Sequence, residues 1–305
     1  MVLPDLENFA DDNTIDACCT NIEDTIKNLE DNLLIALNWF RDNGMVANPQ
    51  KFQVMFLGLK TDQSFCLSVP VSAATDIKGI KFLNDRSIKI GGRIIVKSIK
   101  SVKLLGVIID DKLTFNAYID KQCSKAKSSV HAIQRLAPDN EKDNLKILVS
   151  SFFMSCFSYC PLIWMFCSKA KNDKINSLHK KALKILTPEI KDMESMLIEN
   201  SMVSIHTRNL HQMMTEIFCC LNHINPPFLW NEVVINNQYT KSRNGTKLII
   251  PKTRTVRFGM KSFAFRGSML WNYLPKYYKE SPNLKIFKQR IKSWQPVRCQ
   301  CNLCT

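Results

Sequence analysis

Two adjacent carboxylates, Asp11 and Asp12, follow the apolar pair Phe9-Ala10 and precede Thr14-Ile15. Like charges held side by side at a hairpin tip repel, an arrangement that makes sense when a divalent cation neutralises both. Mg2+ takes hard oxygen ligands, and two such ions align the attacking and leaving oxygens of a phosphoryl transfer. Taken alone, an Asp-Asp pair is more often a solvated turn, so the elements around it must decide.

At the other end of the chain, Cys299, Cys301 and Cys304 gather three soft ligands. That is one short of the four of a structural zinc site, and the spacing differs from that of a finger or knuckle. Zn2+ at these thiols and exposed thiols on a frayed end are the two readings. The five histidines show no H-x-x-x-H spacing, and His206 and His211 read as packing or surface residues. Neither a Ser/His/Asp set nor a glycine-rich phosphate loop is present.

The 305 residues carry a formal net charge of +15, unevenly placed. Residues 1–43 hold a net −8, residues 44–240 a net +9, and residues 241–305 a net +14 with Glu280 the single acid. A basic end attracts polyanions whatever its fold. Twelve cysteines scattered through a long chain read as reduced thiols rather than as a disulfide framework. Met1-Val2-Leu3-Pro4-Asp5 lacks the character of a targeting segment, and the expectation is an intracellular protein, nuclear or cytoplasmic. Ile147 to Ser168 is uncharged and long enough to resemble a membrane span, but Pro161 and four serines up to Ser158 favour a buried helix pair.

The elements that would position these groups follow from periodicity. Thr20 and Glu23 form a capping box before Ile22, Ile26, Leu29, Leu33, Leu37 and Phe40, which step by three and four until Asn43-Gly44. Phe52 to Leu57 is short and β-prone, and residues 61–110 read as further strands with a hairpin at Gly91-Gly92. Ile119, Cys123, Ala126, Val130, Ile133 and Ala137 then share a helical face that Pro138 closes, with Lys121, Lys125 and Lys127 off that face. Ile175, Leu178, Ala182 and Ile185 define another helix, and Leu210, Met213, Met214, Ile217 and Leu221 a third. Ser281 and Pro282 open a last helix whose inward face is Leu284, Phe287, Ile291 and Trp294, with Lys285, Lys288, Arg290 and Lys292 on its basic side.

The order of these blocks resembles that of the reverse transcriptases of non-LTR retrotransposons. Asp11-Asp12 on a turn, the helix, Met45 to Lys51 and a segment ending Met55-Phe56-Leu57-Gly58 resemble motifs C and D. Val102 to Asp110 resembles the primer-grip hairpin. Tyr159 to Trp164 with His179 to Leu183 resembles the thumb, and Phe265 to Ser268, Leu270 to Pro275 and Phe287-Lys288 resemble the segment that ends many such reading frames.

The resemblance implies an α+β chain: an incomplete polymerase palm over 1–115, a mainly helical thumb over 116–240, and a basic C-terminal region over 241–305. It implies Asp11 and Asp12 as Mg2+ ligands, Lys51 as a general acid toward departing pyrophosphate, and Leu105-Gly106 at the primer grip. The family's palm also needs a motif A aspartate and a motif B helix upstream of motif C, whereas eight residues precede Phe9. The expectation is therefore a truncated RNA-directed DNA polymerase, inactive alone, that retains nucleic-acid binding and whose missing N-terminal portion would be a partner. The alternative is a host-recruited, non-catalytic nucleic-acid-binding or assembly protein.

Overall fold

Asn21 stands before a run of apolar residues at helical spacing, and α1 (Ile22–Asp42) begins there. The Asn21 carboxamide oxygen accepts from the Asp24 backbone N–H at 2.7 Å. The cap is therefore one residue later than the Thr20/Glu23 pair indicated, because asparagine is the stronger N-cap and reaches the third N–H of the first turn. Glu23 and Asp24 sit at the positive end of the helix dipole. At the other end Gly44 takes a left-handed φ of +72°, which ends the helix where Asn43-Gly44 foretold.

The computed structural model describes residues 6–9, 12–45, 47–48, 51–59, 64–70, 87–90, 93–236, 245–256 and 258–295. They fall into two units, Met1–Leu113 and Thr114–Thr305. In the first, β1 (Leu6–Phe9) pairs antiparallel with β2 (Asp12–Ile15). A second sheet has β5 (Arg93–Lys97) between β3 (Cys66–Pro70) and β4 (Ser87–Ile90). Ile94 and Val96 of β5 point inward between exposed Arg93 and Lys97, and with Leu67, Val69 and Leu37 they form the small core. Gly91-Gly92 lies outside the described residues, but Ile90 pairs with Arg93, so the connection is two residues long.

Phe52 to Leu57 does not become a strand. Val54 makes a single parallel bridge to Ser98, and Val54 and Phe56 still alternate into the core. The inward alternation survives without a ladder because β5, the neighbour it meets, ends at Lys97.

The second unit is helical. Its α2 (Asn116–Leu136) buries Ile119, Cys123, Ala126, Val130 and Ile133 against α5 (Lys169–Leu186), which buries Ile175, Leu178, Ala182 and Leu183. Between them come α3 (Lys142–Leu148), a π-helical turn at Val149–Phe153, a 3-10 turn at Met154–Phe157 and α4 (Pro161–Trp164). Ile147 to Ser168 is thus a string of short helical pieces, and no helix among the described residues is long and apolar enough to cross a membrane.

After α6 (Met193–Glu199), α7 (Ile205–Leu221) is buried on most sides, by α8 (Phe263–Tyr273) and by α10 (Leu284–Ile291), which follows the single turn α9 (Lys276–Lys279). Gly267 is the contact that sets the α7–α8 distance. A Cβ there would lie 2.7 Å from Ile217 Cδ1. Asn272 clamps the preceding segment onto α8, donating to the Leu248 carbonyl at 2.9 Å and accepting from the Leu248 N–H at 2.8 Å.

Two expectations change here. The boundary near residue 115 falls at Leu113–Thr114, but residues 245–295 are not a separate basic region, since Trp271, Leu274, Phe287 and Ile291 complete the core that α7 begins. The last helix also starts two residues later than Ser281-Pro282 indicated. Asn283 caps it, accepting from the Ile286 N–H at 3.0 Å, whereas the Ser281 hydroxyl donates to the Tyr278 carbonyl at 2.7 Å and is committed there.

Candidate nucleic-acid interface

The acidic pair belongs to the β1–β2 hairpin. Phe9 is paired directly with Asp12, so the strands are joined by Ala10 and Asp11, which lie outside the described residues. Asp12 is exposed at the first position of β2. Asp11 and Asp12 offer Mg2+ the right donor type, but a two-metal centre draws carboxylates from a second strand as well. Among the described residues no group of three or more acidic, histidine or cysteine side chains converges. The described residues alone do not complete such a centre. Lys51 is exposed, and its N–H donates to the Asn48 carbonyl at 3.0 Å. Val54, three residues on, bridges to Ser98 just beyond β5.

The primer-grip candidates sit on a tight hairpin as the sequence indicated. β6 (Ser101–Leu104) and β7 (Val107–Asp110) pair with Leu104 opposite Val107, leaving Leu105-Gly106 as a two-residue turn. Leu105 has φ +44° and Gly106 φ +89°. Glycine adopts this conformation freely, whereas leucine loses roughly 1–2 kcal/mol in the left-handed region. The right-handed twist of the strands demands both positive angles, and the turn holds the Leu105 side chain outward.

The basic candidates separate into residues that face solvent together and residues that do not. On α10, Lys285, Lys288 and Lys292 follow at i, i+3 and i+7 and are exposed on one stripe. Arg290 leaves that stripe. Its guanidinium lies 4.3 Å from the Tyr277 ring centroid and donates to the Tyr277 carbonyl at 2.8 Å, so it fastens α9 to α10. On α2, Lys121 and Lys125 stand one turn apart on the ridge opposite the core, and Lys127 lies on another flank.

Sequence reasoning missed the cations of α5 as candidate contacts. Lys180, Lys181 and Lys184 cover its outer side, with Lys181 and Lys184 exposed. Their signal was present in His179-Lys180-Lys181-Ala182-Leu183-Lys184, where buried and charged positions alternate at helical spacing. Lys171 and Lys174 instead pair with Asp120 of α2, and these two hydrogen bonds hold the Asp120 carboxyl below its ordinary pKa.

Not all the basic tail is available either. Lys279 is buried, with Cδ 3.5 Å from where a Gly245 Cβ would be and its ammonium 6.0 Å from the Trp271 ring centroid. Burial, with the nearby Lys247 charge, pushes its pKa down to about 8.

His211 has the packing role expected of it: its Nε2 lies 2.8 Å from the Trp294 carbonyl oxygen in the core. His179 is fully buried, stacked on Phe153 at 5.6 Å, and neither ring nitrogen has a hydrogen-bond partner. Burial, then the Arg208 charge, lowers its pKa to about 4. Nine described cysteines are free thiols, and Cys299, Cys301 and Cys304, the candidate Zn2+ ligands, lie outside the described residues. Comparison with protein-family models, with curated proteins and with solved structures finds no match to this chain.

Proposed function

We propose that this chain is the part of a non-LTR retrotransposon reverse transcriptase that runs from motif C through the thumb, and that it binds RNA or DNA through the lysine faces of its helical unit. What supports the polymerase reading is the pairing of Phe9 with Asp12, which leaves Ala10-Asp11 as the hairpin connection. The tight Leu105-Gly106 hairpin supports it in the order the resemblance requires. In this reading Asp11 and Asp12 are part of the metal-binding set, and Mg2+-dependent extension of a primed RNA requires a further aspartate of motif A. Primer extension by the chain alone, abolished by Asp11→Ala, would contradict this.

The binding half of the proposal is tested by a salt titration. With roughly four to six phosphate contacts, log K falls against log salt with a slope of about −3 to −5. Replacing Lys285, Lys288 and Lys292 by glutamine should flatten the slope by about 2 to 3, using roughly 0.7–0.9 per contact. Point variants serve better than removal of residues 241–305, because those residues include core side chains. Equal slopes would make the stripe a solubilising surface.

A further inference from the structure

Phe152 and Phe153 are consecutive, so a helix can turn only one of them inward. The π-helical turn selects Phe153, which is fully buried with Val149 and Phe157, and leaves Phe152 57% exposed. Beyond the 3-10 turn at Met154–Phe157, Tyr159 is 51% exposed. Phe228, Tyr273 and Tyr277 of this unit are as exposed, but Phe152 and Tyr159 share a segment that carries no charged side chain.

Both are anchored through their backbones. The Tyr159 carbonyl accepts from the Trp164 indole N–H at 3.1 Å and from the Tyr118 hydroxyl at 3.4 Å. The Phe152 carbonyl accepts from Ser155 Oγ at 3.3 Å and Cys156 Sγ at 3.2 Å. Tyr118, Gln122, Lys125 and Ser129 step along one edge of α2 by four, three and four, and this edge lines the segment. Tyr118 meets it at Tyr159. Near Cys156, whose thiol burial pushes up, the Ser129 hydroxyl and Lys125 ammonium work in the opposite direction. Lys121 stands one turn before Lys125.

Cations stand beside and beneath the strip. Residues 147–168 contain no acidic or basic side chain. From beneath, Arg208 donates to the Met154 carbonyl at 3.1 Å and the Phe157 carbonyl at 2.8 Å. A guanidinium satisfied by carbonyls keeps its full positive charge under the segment. Aromatic faces beside lysines, with cationic support and no carboxylate on the segment, match a strand that offers bases and phosphates together. An apolar protein partner would gain nothing from the cations.

We infer that Phe152 and Tyr159 form a stacking platform for unpaired bases of a single-stranded RNA or DNA, whose phosphates run along Lys121 and Lys125. This rests on the nucleic-acid-binding reading above and adds to it which form of the polymer is held and by which side chains. Duplex bases keep their faces stacked on one another, so the platform discriminates for the single strand.

The test measures binding of the full chain to a fluorescent oligo(dT) of about 15 nucleotides and to a duplex of the same length, across a salt series. The Phe152→Leu/Tyr159→Leu variant keeps apolar volume and removes the π faces. Single-strand affinity should drop by about tenfold or more, with duplex affinity within about twofold and the salt slope unchanged. Phe152→Trp should bind the single strand at least as tightly as the parent chain. Lys121→Gln/Lys125→Gln should instead flatten the slope. A double-leucine variant that binds the single strand as the parent does, while duplex binding persists, overturns the platform and leaves the broader reading standing. Equal losses for both polymers, or a change in sedimentation with binding unaltered, also overturn it. Absence of salt-dependent binding to either polymer by the parent chain removes both readings.

Discussion

The two units place similar apolar residues in different surroundings. In Thr114–Thr305 large side chains meet one another: Phe287, fully buried, stacks on Phe218 at 4.4 Å and on Trp271 at 6.1 Å. In Met1–Leu113 the stripe of α1 buries Ala36 and Leu37 completely, and Ile22, Ile26, Leu29, Leu33 and Phe40 only in part. The cause is dimensional. A helix of 21 residues is about 32 Å long, whereas strands of five residues span about 17 Å, so α1 overhangs the sheet it packs on. In the second unit α2 and α5, of 21 and 18 residues, pack on one another, and α7 is covered by α8 and α10 together.

The sharpest way to break this contrast is to truncate one aromatic in each unit. Phe287→Ala should destabilise the helical unit by about 3–5 kcal/mol, whereas Phe40→Ala in the half-buried stripe should cost about 1–2 kcal/mol. Denaturant unfolding, read by near-ultraviolet signals and by amide exchange in each unit, checks both. Comparable losses would show that α1 is covered as fully as α10.

Acid should separate the units next. All five histidines lie in the second one. The pKa of His179, about 4 in the folded protein, lies below its ordinary 6.5. Between those values the unfolded chain binds a proton that the folded chain refuses, so the stability contribution is whole above pH 6.5 and is lost as pH falls toward 4. The full effect is at most about 3 kcal/mol. Burial lowers His211 in the same direction. Denaturant midpoints measured from pH 7 down to about 4.5 should fall for the helical unit, and His179→Leu should flatten that dependence.

A smaller effect is expected at the α7–α8 contact. Gly267→Ala improves helix propensity by about 1 kcal/mol, but its methyl group must displace a fully buried Ile217, which costs about 1–3 kcal/mol. The net should be a loss of about 1 kcal/mol in thermal or denaturant unfolding. Restoration by Ile217→Val in the same chain would locate the clash. The smallest effect belongs to the ion pairs of Asp120. With the carboxylate 43% exposed, Asp120→Asn should change stability by about 0.5 kcal/mol, and high salt should erase the difference.

Periodicity alone located α1, α2, α5, α7 and α10 and their inward residues, because a helix must bury whichever side chains recur at three and four. The Leu105-Gly106 hairpin followed from the family resemblance rather than from turn chemistry, since leucine does not favour the φ of +44° it takes there. Choices between adjacent residues with similar propensities were not legible. Asn21 displaced Thr20 as a cap, and Asn283 displaced Ser281 once the Ser281 hydroxyl was committed to Tyr278. Long-range packing decided the rest. It drew residues 245–295 into the core of α7, and it turned Arg290 from a presumed contact into a clasp on Tyr277. It also set Phe153 inside and Phe152 outside. Charge and hydropathy along a chain state what each residue would prefer, but only the neighbours brought by the fold determine which of those preferences can be met at once.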